Sequence, residues 1–176
     1  MGKDLVLYQS KYGASRSYAE WLGAAWGCPA CALQDCKGGL GAYQRIVLVG
    51  GLYAGSMAGL KRFFRLCEGV PHERAAVLCV GASPYDADTL AACKARGFGA
   101  GWQDVPLFYA RGRLDMAQLN PVDRALCRML CKSVARKDPA SLEPWMQALL
   151  SAAAAPQDWA DPGQLAPLLA HWDKTR

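Results

Sequence analysis

YQSKYGASRS, residues 8–17, directly follows the apolar run LVL at 5–7. The apolar run predicts a buried strand, and the small and hydroxyl-bearing residues after it predict a short turn that leads into a helix over about 15–26. Such a turn gathers backbone N–H groups and the hydroxyls of Ser10 and Ser15 at the helix N-terminus. Because a helix N-terminus carries a partial positive charge, this turn suits a phosphate group.

The same residues exclude two common phosphate-binding motifs. The GxxxxGK[ST] pattern is absent, and Gly13 is the single glycine of the turn, so that GxGxxG is absent as well. The pattern that remains is Ser10-x-x-Gly13-x-Ser15, placed just after the first strand.

The composition is typical of one globular domain. The chain has 176 residues, of which 52% are hydrophobic and 20% charged, so we expect a single domain over 1–176 with a full core. Lys, Arg or Pro interrupts the apolar stretches before they reach the length of a membrane span. No secretory signal precedes the first strand, and eight cysteines without such a signal indicate reduced thiols. These features predict a cytoplasmic protein.

The charge is mildly basic, with a formal net charge of +5. An excess of this size favours an anionic ligand, an acidic partner or an anionic membrane surface. The basic residues do not alternate with aromatic residues as a base-stacking platform would require, so we expect no nucleic-acid partner.

Short apolar runs alternate with helical patterns along most of the chain. We predict strands at 4–8, 31–33, 45–50, 75–81 and 105–109, and helices at 15–26, 57–67 and 86–96. Continuous apolar strands separated by amphipathic helices indicate a parallel sheet covered on both faces. We therefore predict an α/β fold, a doubly wound five-stranded sheet in the flavodoxin-like order 2-1-3-4-5, with helices on both faces.

The remaining part of the chain is predicted to be helical. A strongly basic segment at about 110–137 contains an amphipathic helix at 121–135, with Asn120 as its N-cap and Pro121 in its first turn. The apolar residues of this helix, flanked by Arg and Lys, fit either a solvated helix that covers the core or peripheral contact with a membrane. Further helices are predicted at 142–152 and at about 162–173.

Four segments resemble the flavodoxin family. Residues 10–15 resemble its phosphate loop, T/S-x-x-G-x-T/S, and GGLYAG at 50–55 and GASPYD at 81–86 resemble its two flavin-bordering loops. FYARGRLD at 108–115, which leads into LNPVDR at 119–124, resembles a subgroup that includes the menaquinone-dependent protoporphyrinogen IX dehydrogenase of bacteria.

The resemblance implies FMN as the cofactor and an oxidoreductase that oxidises a porphyrinogen-type or other reduced donor and passes the electrons to a quinone. No metal and no side-chain acid or base are implied, because the flavin carries the chemistry. The expected FMN contacts come from the three loops; they are Ser10, Lys11, Tyr12, Gly13, Ala14, Ser15, Gly51, Leu52, Tyr53, Ala54, Gly55, Gly81, Ala82, Ser83 and Tyr85.

Porphyrinogens carry propionates, so the arginines of the basic segment are the candidate substrate contacts. They are Arg111, Arg113, Arg124 and Arg128, of which the last two are four residues apart on one helix face. A net positive charge is also unlike the acidic surface of electron-carrier flavodoxins, and this difference favours an enzyme.

Three alternatives remain open from the sequence. The first is an electron-transfer flavodoxin that serves a redox protein partner and has no substrate of its own. The second is an NAD(P)H-dependent quinone reductase. The third is a flavodoxin-like domain that binds no cofactor and acts only as an interaction module. The sequence does not specify the oligomeric state, the redox potential, or the physiological donor and acceptor.

The motif Cys28-Pro29-Ala30-Cys31, followed by Cys36, has two interpretations. It could form a redox dithiol or half of a zinc site, or its thiols could simply pack. No second C-x-x-C follows, and the only histidines are His72 and His171. The pattern favours packing and leaves a functional role open.

Overall fold

The central sheet contains five parallel strands. The computed structural model describes residues 3–173, and its parallel strands are β1 (Lys3–Gln9), β2 (Ala30–Ala32), β3 (Tyr43–Tyr53), β5 (Ala75–Gly81) and β6 (Leu107–Arg111). They lie in the order β2-β1-β3-β5-β6, and the short strand β4 (Ser56–Met57) pairs antiparallel with the end of β3. Counted along the chain, the parallel strands have the predicted order 2-1-3-4-5. The fold prediction is confirmed, and β4 is an addition to it.

Both faces of this sheet are buried, which explains why its strands are continuous apolar runs. Leu7 and Leu48 are paired in register and belong to one core cluster, together with Phe63. Their neighbours Val6 and Val47 belong to a second cluster on the opposite face. All five side chains have a relative exposure of 0%.

Four helices contribute to the two clusters on the sheet faces, and two others pack against each other in a third cluster. The sheet is covered by α2 (Leu60–Leu66) and α3 (Ala87–Gly97) on one face and by α1 (Ala14–Trp26) and α6 (Ala166–Asp173) on the other; the third cluster joins α4 (Pro121–Val134) and α5 (Pro144–Ala154). The residue types at their ends explain where several of them begin. Asp86 accepts a hydrogen bond from the Thr89 N–H (2.8 Å) at the start of α3, and Asn120 accepts one from the Asp123 N–H (2.8 Å) at the start of α4.

Several predicted boundaries differ from the structure by two or three residues; for example, the strand predicted at 45–50 spans Tyr43–Tyr53 and the helix predicted at 142–152 spans Pro144–Ala154. Two of the differences have local reasons. Helix α2 starts at Leu60 instead of 57, because Ser56 and Met57 pair with β3; Gly59, at φ +89°, is the N-cap of the helix. The last parallel strand starts at Leu107 instead of 105, after Pro106, which has no N–H to donate.

The C-terminal part of the chain is attached to the sheet by polar contacts and by packing. Arg113–Leu114 (β7) pairs antiparallel with Gln157–Asp158 (β8), and the buried Tyr18 donates a hydrogen bond to the Arg111 carbonyl (2.6 Å) and accepts one from the Asp161 N–H (3.1 Å). Helix α6 then packs on the face that α1 also covers. The predicted helix at 162–173 begins as a 3₁₀ turn, Pro162–Leu165, before α6.

Candidate functional site

The loops that follow β1, β3 and β5 meet at one cavity at the carboxyl ends of the strands. This first cavity has a volume of about 410 Å³, within the range of small-molecule sites. A doubly wound sheet places its ligand at this edge. The predicted contact residues that line it are Ser10, Tyr12, Ala14, Ser15, Gly51, Leu52, Tyr53, Ala54, Gly81 and Ala82.

A second cavity, of about 420 Å³, adjoins the first. The two share a wall that contains Leu52, Ala54, Gly81, Ala82 and Leu130. The predicted residues Gly55, Ser83 and Tyr85 line only the second cavity, together with residues of α3 and α5. The predicted residues Lys11 and Gly13 line neither of them.

The first turn of α1 offers unpaired donors at one end of the first cavity. Gly13, at φ +93°, is the N-cap, and no side chain caps the helix or places an acidic group in its first turn. The N–H groups of a first helical turn have no partner within the helix. Ser10 accepts a hydrogen bond from the Gly13 N–H (3.0 Å), and Ser15 is 3% exposed. The arrangement fits an anion such as a phosphate group.

A polar cluster connects the turn before α1 to the start of α4. Lys11 Nζ lies 2.5 Å from Asp123 Oδ2, the Tyr12 hydroxyl donates to the same oxygen, and the Asn120 N–H donates to the Tyr12 hydroxyl (3.3 Å). The hydrogen bonds from Lys11 and Tyr12 lower the pKa of Asp123. The side chain of Lys11 therefore pairs with α4, and α4 forms a wall of the first cavity.

Tyr53 also lines the first cavity. Its ring lies 2.7 Å from the position that a Cβ on Gly51 would occupy, so a larger residue at 51 would displace the ring from this position. It also meets the Tyr12 ring edge to face, with centroids 6.4 Å apart. Burial raises the pKa of Tyr53. Tyr85, in contrast, is 66% exposed at the second cavity.

The loop after β5 is held in place by the last parallel strand. Tyr109 of β6 donates a hydrogen bond to the Ser83 carbonyl (2.6 Å), and its hydroxyl lies 2.6 Å from the position of a Cβ on Gly81. Glycine at this position therefore lets the tyrosine reach the loop.

The four predicted substrate arginines have different surroundings. Arg111 donates to the Ala82 carbonyl (2.9 Å) and stacks on Trp159 at 3.8 Å, and loss of hydration lowers its pKa. Arg124 donates three hydrogen bonds to backbone carbonyls between residues 116 and 119. Arg113 lines the first cavity, and Arg128 is exposed on α4. The structure does not gather the four guanidinium groups in one place.

Two parts of the cavity walls were not anticipated from the sequence. Leu126, Met129 and Leu130 of α4 line the first cavity, and Glu143 and Trp145 near the start of α5 line the second. The apolar stripe of α4 was visible in the sequence, but periodicity alone does not show which surface a stripe faces.

The thiols of the C-x-x-C segment are free. Cys28, Cys31 and Cys36 form no disulfide, and burial raises the pKa of Cys28 and of Cys36. Among residues 3–173, no group of three or more Cys, His, Asp or Glu side chains is arranged to hold a metal ion.

Ala54 carries backbone strain at the shared wall of the two cavities. Its φ of +47° lies in the left-handed region, which residues with a Cβ rarely adopt. We expect Ala54→Val to lower the free energy of unfolding by roughly 1–3 kcal/mol, because a β-branched residue fits this conformation worse. Ala54→Gly should change it by less than about 1 kcal/mol. Urea unfolding measures both, and a Val variant as stable as the parent would contradict the assigned conformation.

The part of the chain that the structure describes contains no helix with the length and apolar character needed to span a membrane.

Fold and site together define a doubly wound α/β domain with an uncapped helix N-terminus after its first strand. Comparison with family models identifies the family: the model described as "Flavodoxin domain" matches residues 5–141. The chain belongs to the flavodoxin domain family, whose members typically bind a flavin.

Comparison with solved structures and curated proteins adds little detail. One similar structure is the Trp repressor binding protein from Bacillus subtilis, at 12% sequence identity and a TM-score of 0.43; the match covers 62% of this chain and 84% of that one. A search of the curated proteins found no significant match.

Proposed function

We propose that this protein binds FMN and is an oxidoreductase that takes electrons from a reduced donor and passes them to a quinone. The observation that carries the proposal is the convergence of three strand-end loops around the uncapped N-terminus of α1. Membership of the flavodoxin domain family supports the choice of flavin over other phosphate-bearing ligands.

Different residues would bind the phosphate and the flavin ring of FMN. Ser10, Ser15 and the first-turn N–H groups of α1 would hold the phosphate, because they are the donors at that end of the first cavity. Tyr53 and the glycine-containing loop after β5 would border the flavin ring, which needs a planar apolar site. Bound FMN supplies the electron-transfer chemistry, and the protein positions and shields it.

The second cavity favours an enzyme over an electron carrier. It adjoins the proposed flavin site through a shared wall and gives space for a second small molecule beside the ring. An electron carrier needs only an exposed flavin edge. We propose a porphyrinogen-type donor, on the resemblance of residues 108–124 to the protoporphyrinogen dehydrogenase subgroup, with the net positive charge suiting a substrate that carries carboxylates.

Helix α4 supports a membrane-held quinone as the acceptor. Val122 and Met129 are 68% and 61% exposed on this helix, and Arg128 and Lys132 are exposed beside them. An apolar stripe flanked by cations suits peripheral contact with an anionic bilayer. We expect sedimentation with anionic vesicles and not with neutral ones. Val122→Asp, at a residue that lines neither cavity, should reduce the bound fraction, and unchanged sedimentation would contradict the contact.

The visible spectrum of the purified protein, with identification of the released cofactor, tests the flavin assignment. A yellow protein that releases FMN supports it, and a colourless protein that takes up no added FMN overturns it in favour of an interaction module. Porphyrin fluorescence after addition of a porphyrinogen and a quinone then tests the activity. Steady NADPH oxidation would favour a quinone reductase, and electron exchange with redox proteins alone would favour a carrier.

A further inference from the structure

Arg113 is fixed beside the start of α1 by backbone pairing. It lies in β7, opposite Asp158 of β8, and the Trp159 N–H donates to the Gly112 carbonyl (3.0 Å). On the other side, the Gly112 N–H donates to the Gly81 carbonyl at the end of β5 (2.7 Å). Pairing with β8 on one side and with the end of β5 on the other therefore fixes the backbone position of Arg113.

The preceding glycine brings this backbone close to α1. A Cβ on Gly112 would lie 2.9 Å from Val80 Cγ1 and 3.1 Å from Ala14 Cβ, so that only glycine fits without displacing a neighbour. The close approach places the Arg113 guanidinium at the first turn of the helix. Its Nη1 lies 3.9 Å from the Cβ position of Gly13, and its Nη2 donates to the Ser17 hydroxyl (3.3 Å).

Most of the donors of Arg113 are not used. A guanidinium has five N–H groups, and the hydrogen bond to Ser17 uses one. The Nε is buried without a hydrogen-bond partner among the described residues, and Asp158 Oδ2 lies 3.5 Å from it, an ion-pair distance. Buried donors normally have partners. Because the Nε is buried and faces Asp158, the donors that remain for a bound molecule are the Nη N–H groups that Ser17 does not use.

The charges around the start of α1 also favour a bound anion. A helix N-terminus carries partial positive charge, and α1 has neither a capping side chain nor an acidic residue in its first turn. The Arg113 guanidinium beside it adds a second positive group, whose ion-pair partner Asp158 lies 3.5 Å from the Nε. An anion between the two would be attracted by both.

We propose that Arg113 contacts the phosphate of the bound flavin and makes the protein selective for FMN over riboflavin. This inference rests on the proposed flavin binding. Arg113 then contacts the cofactor and not a substrate carboxylate, because its guanidinium lies at the turn before α1 and it does not line the second cavity. A charge-assisted contact from arginine adds to the neutral donors of the turn.

The test compares FMN with riboflavin, which lacks the phosphate, by quenching of flavin fluorescence in the full-length apoprotein. Arg113→Gln should weaken FMN binding by about 10- to 100-fold and leave riboflavin binding unchanged. Arg113→Lys should restore part of the FMN affinity. The control is Arg136→Gln, which removes one positive charge from an exposed side chain that lines neither cavity and should change the FMN-to-riboflavin ratio less than threefold.

The other outcomes overturn the inference in distinguishable ways. If Arg113→Gln keeps the parental ratio, Arg113 does not contact the phosphate, and the proposed flavin binding is unaffected. If it weakens FMN and riboflavin equally, and Arg113→Lys does the same, Arg113 has a structural role only. If the parent protein binds neither compound, the proposed function itself fails, and this inference fails with it.

Discussion

Ser10→Asp is expected to weaken FMN binding strongly while leaving the fold intact. The Ser10 oxygen accepts a hydrogen bond from the Gly13 N–H (3.0 Å), and an aspartate at the same position can accept it too, so that the turn is retained. The substitution does add a negative charge beside the proposed position of the phosphate. Two like charges about 4 Å apart cost about 4 kcal/mol at an effective dielectric constant of about 20. We therefore expect the FMN dissociation constant to rise at least about 100-fold.

The matched control for this prediction is Ser10→Asn, which has the same shape as aspartate and no charge. It should retain FMN binding within about tenfold, because an amide oxygen still accepts from the turn. Titration of each apoprotein with FMN, followed by flavin fluorescence, gives both constants. Equal affinities for the Asp and Asn variants would place the phosphate elsewhere. Thermal unfolding of the apoproteins verifies that both variants fold.

The parts of this protein that could be predicted are those whose signals are local in sequence. The apolar run of β1, the turn at residues 10–13 and the start of α1 are consecutive, so that one window of sequence contains the strand, the turn and the helix terminus. The parallel strands were predictable for a similar reason, because burial on both faces requires continuous apolar residues.

The parts that could not be predicted depend on contacts between distant segments. Arg113 is placed at the turn before α1 by pairing with Asp158, through strands of two residues that leave no periodic pattern. The side chain of Lys11 belongs to the predicted phosphate loop, but it pairs with Asp123 on α4. In both cases the residue type was visible in the sequence, and its partner was determined by the tertiary fold.

The C-terminal helix illustrates how tertiary packing extends beyond the segment that the family model matches. That segment ends at residue 141, and α6 lies after it. Leu168 of α6 nevertheless has a relative exposure of 0% and belongs to the same buried cluster as Tyr18 and Leu22 of α1. The helix that follows the turn at residues 10–13 therefore shares its core with a helix from outside the matched segment.

Leu168→Ala is consequently expected to lower the free energy of unfolding by about 2–5 kcal/mol, because truncation of a fully buried leucine removes apolar contacts and leaves a cavity. Urea unfolding measures the change, with Ala170→Ser on the exposed side of α6 as a control that should stay within about 0.5 kcal/mol. A loss below 1 kcal/mol would show that α6 is only loosely attached. Leu168 lines neither cavity, so the folded fraction of this variant should bind FMN with the affinity of the parent. A weaker affinity would instead mean that the packing of α6 against α1 determines the position of the turn at residues 10–13.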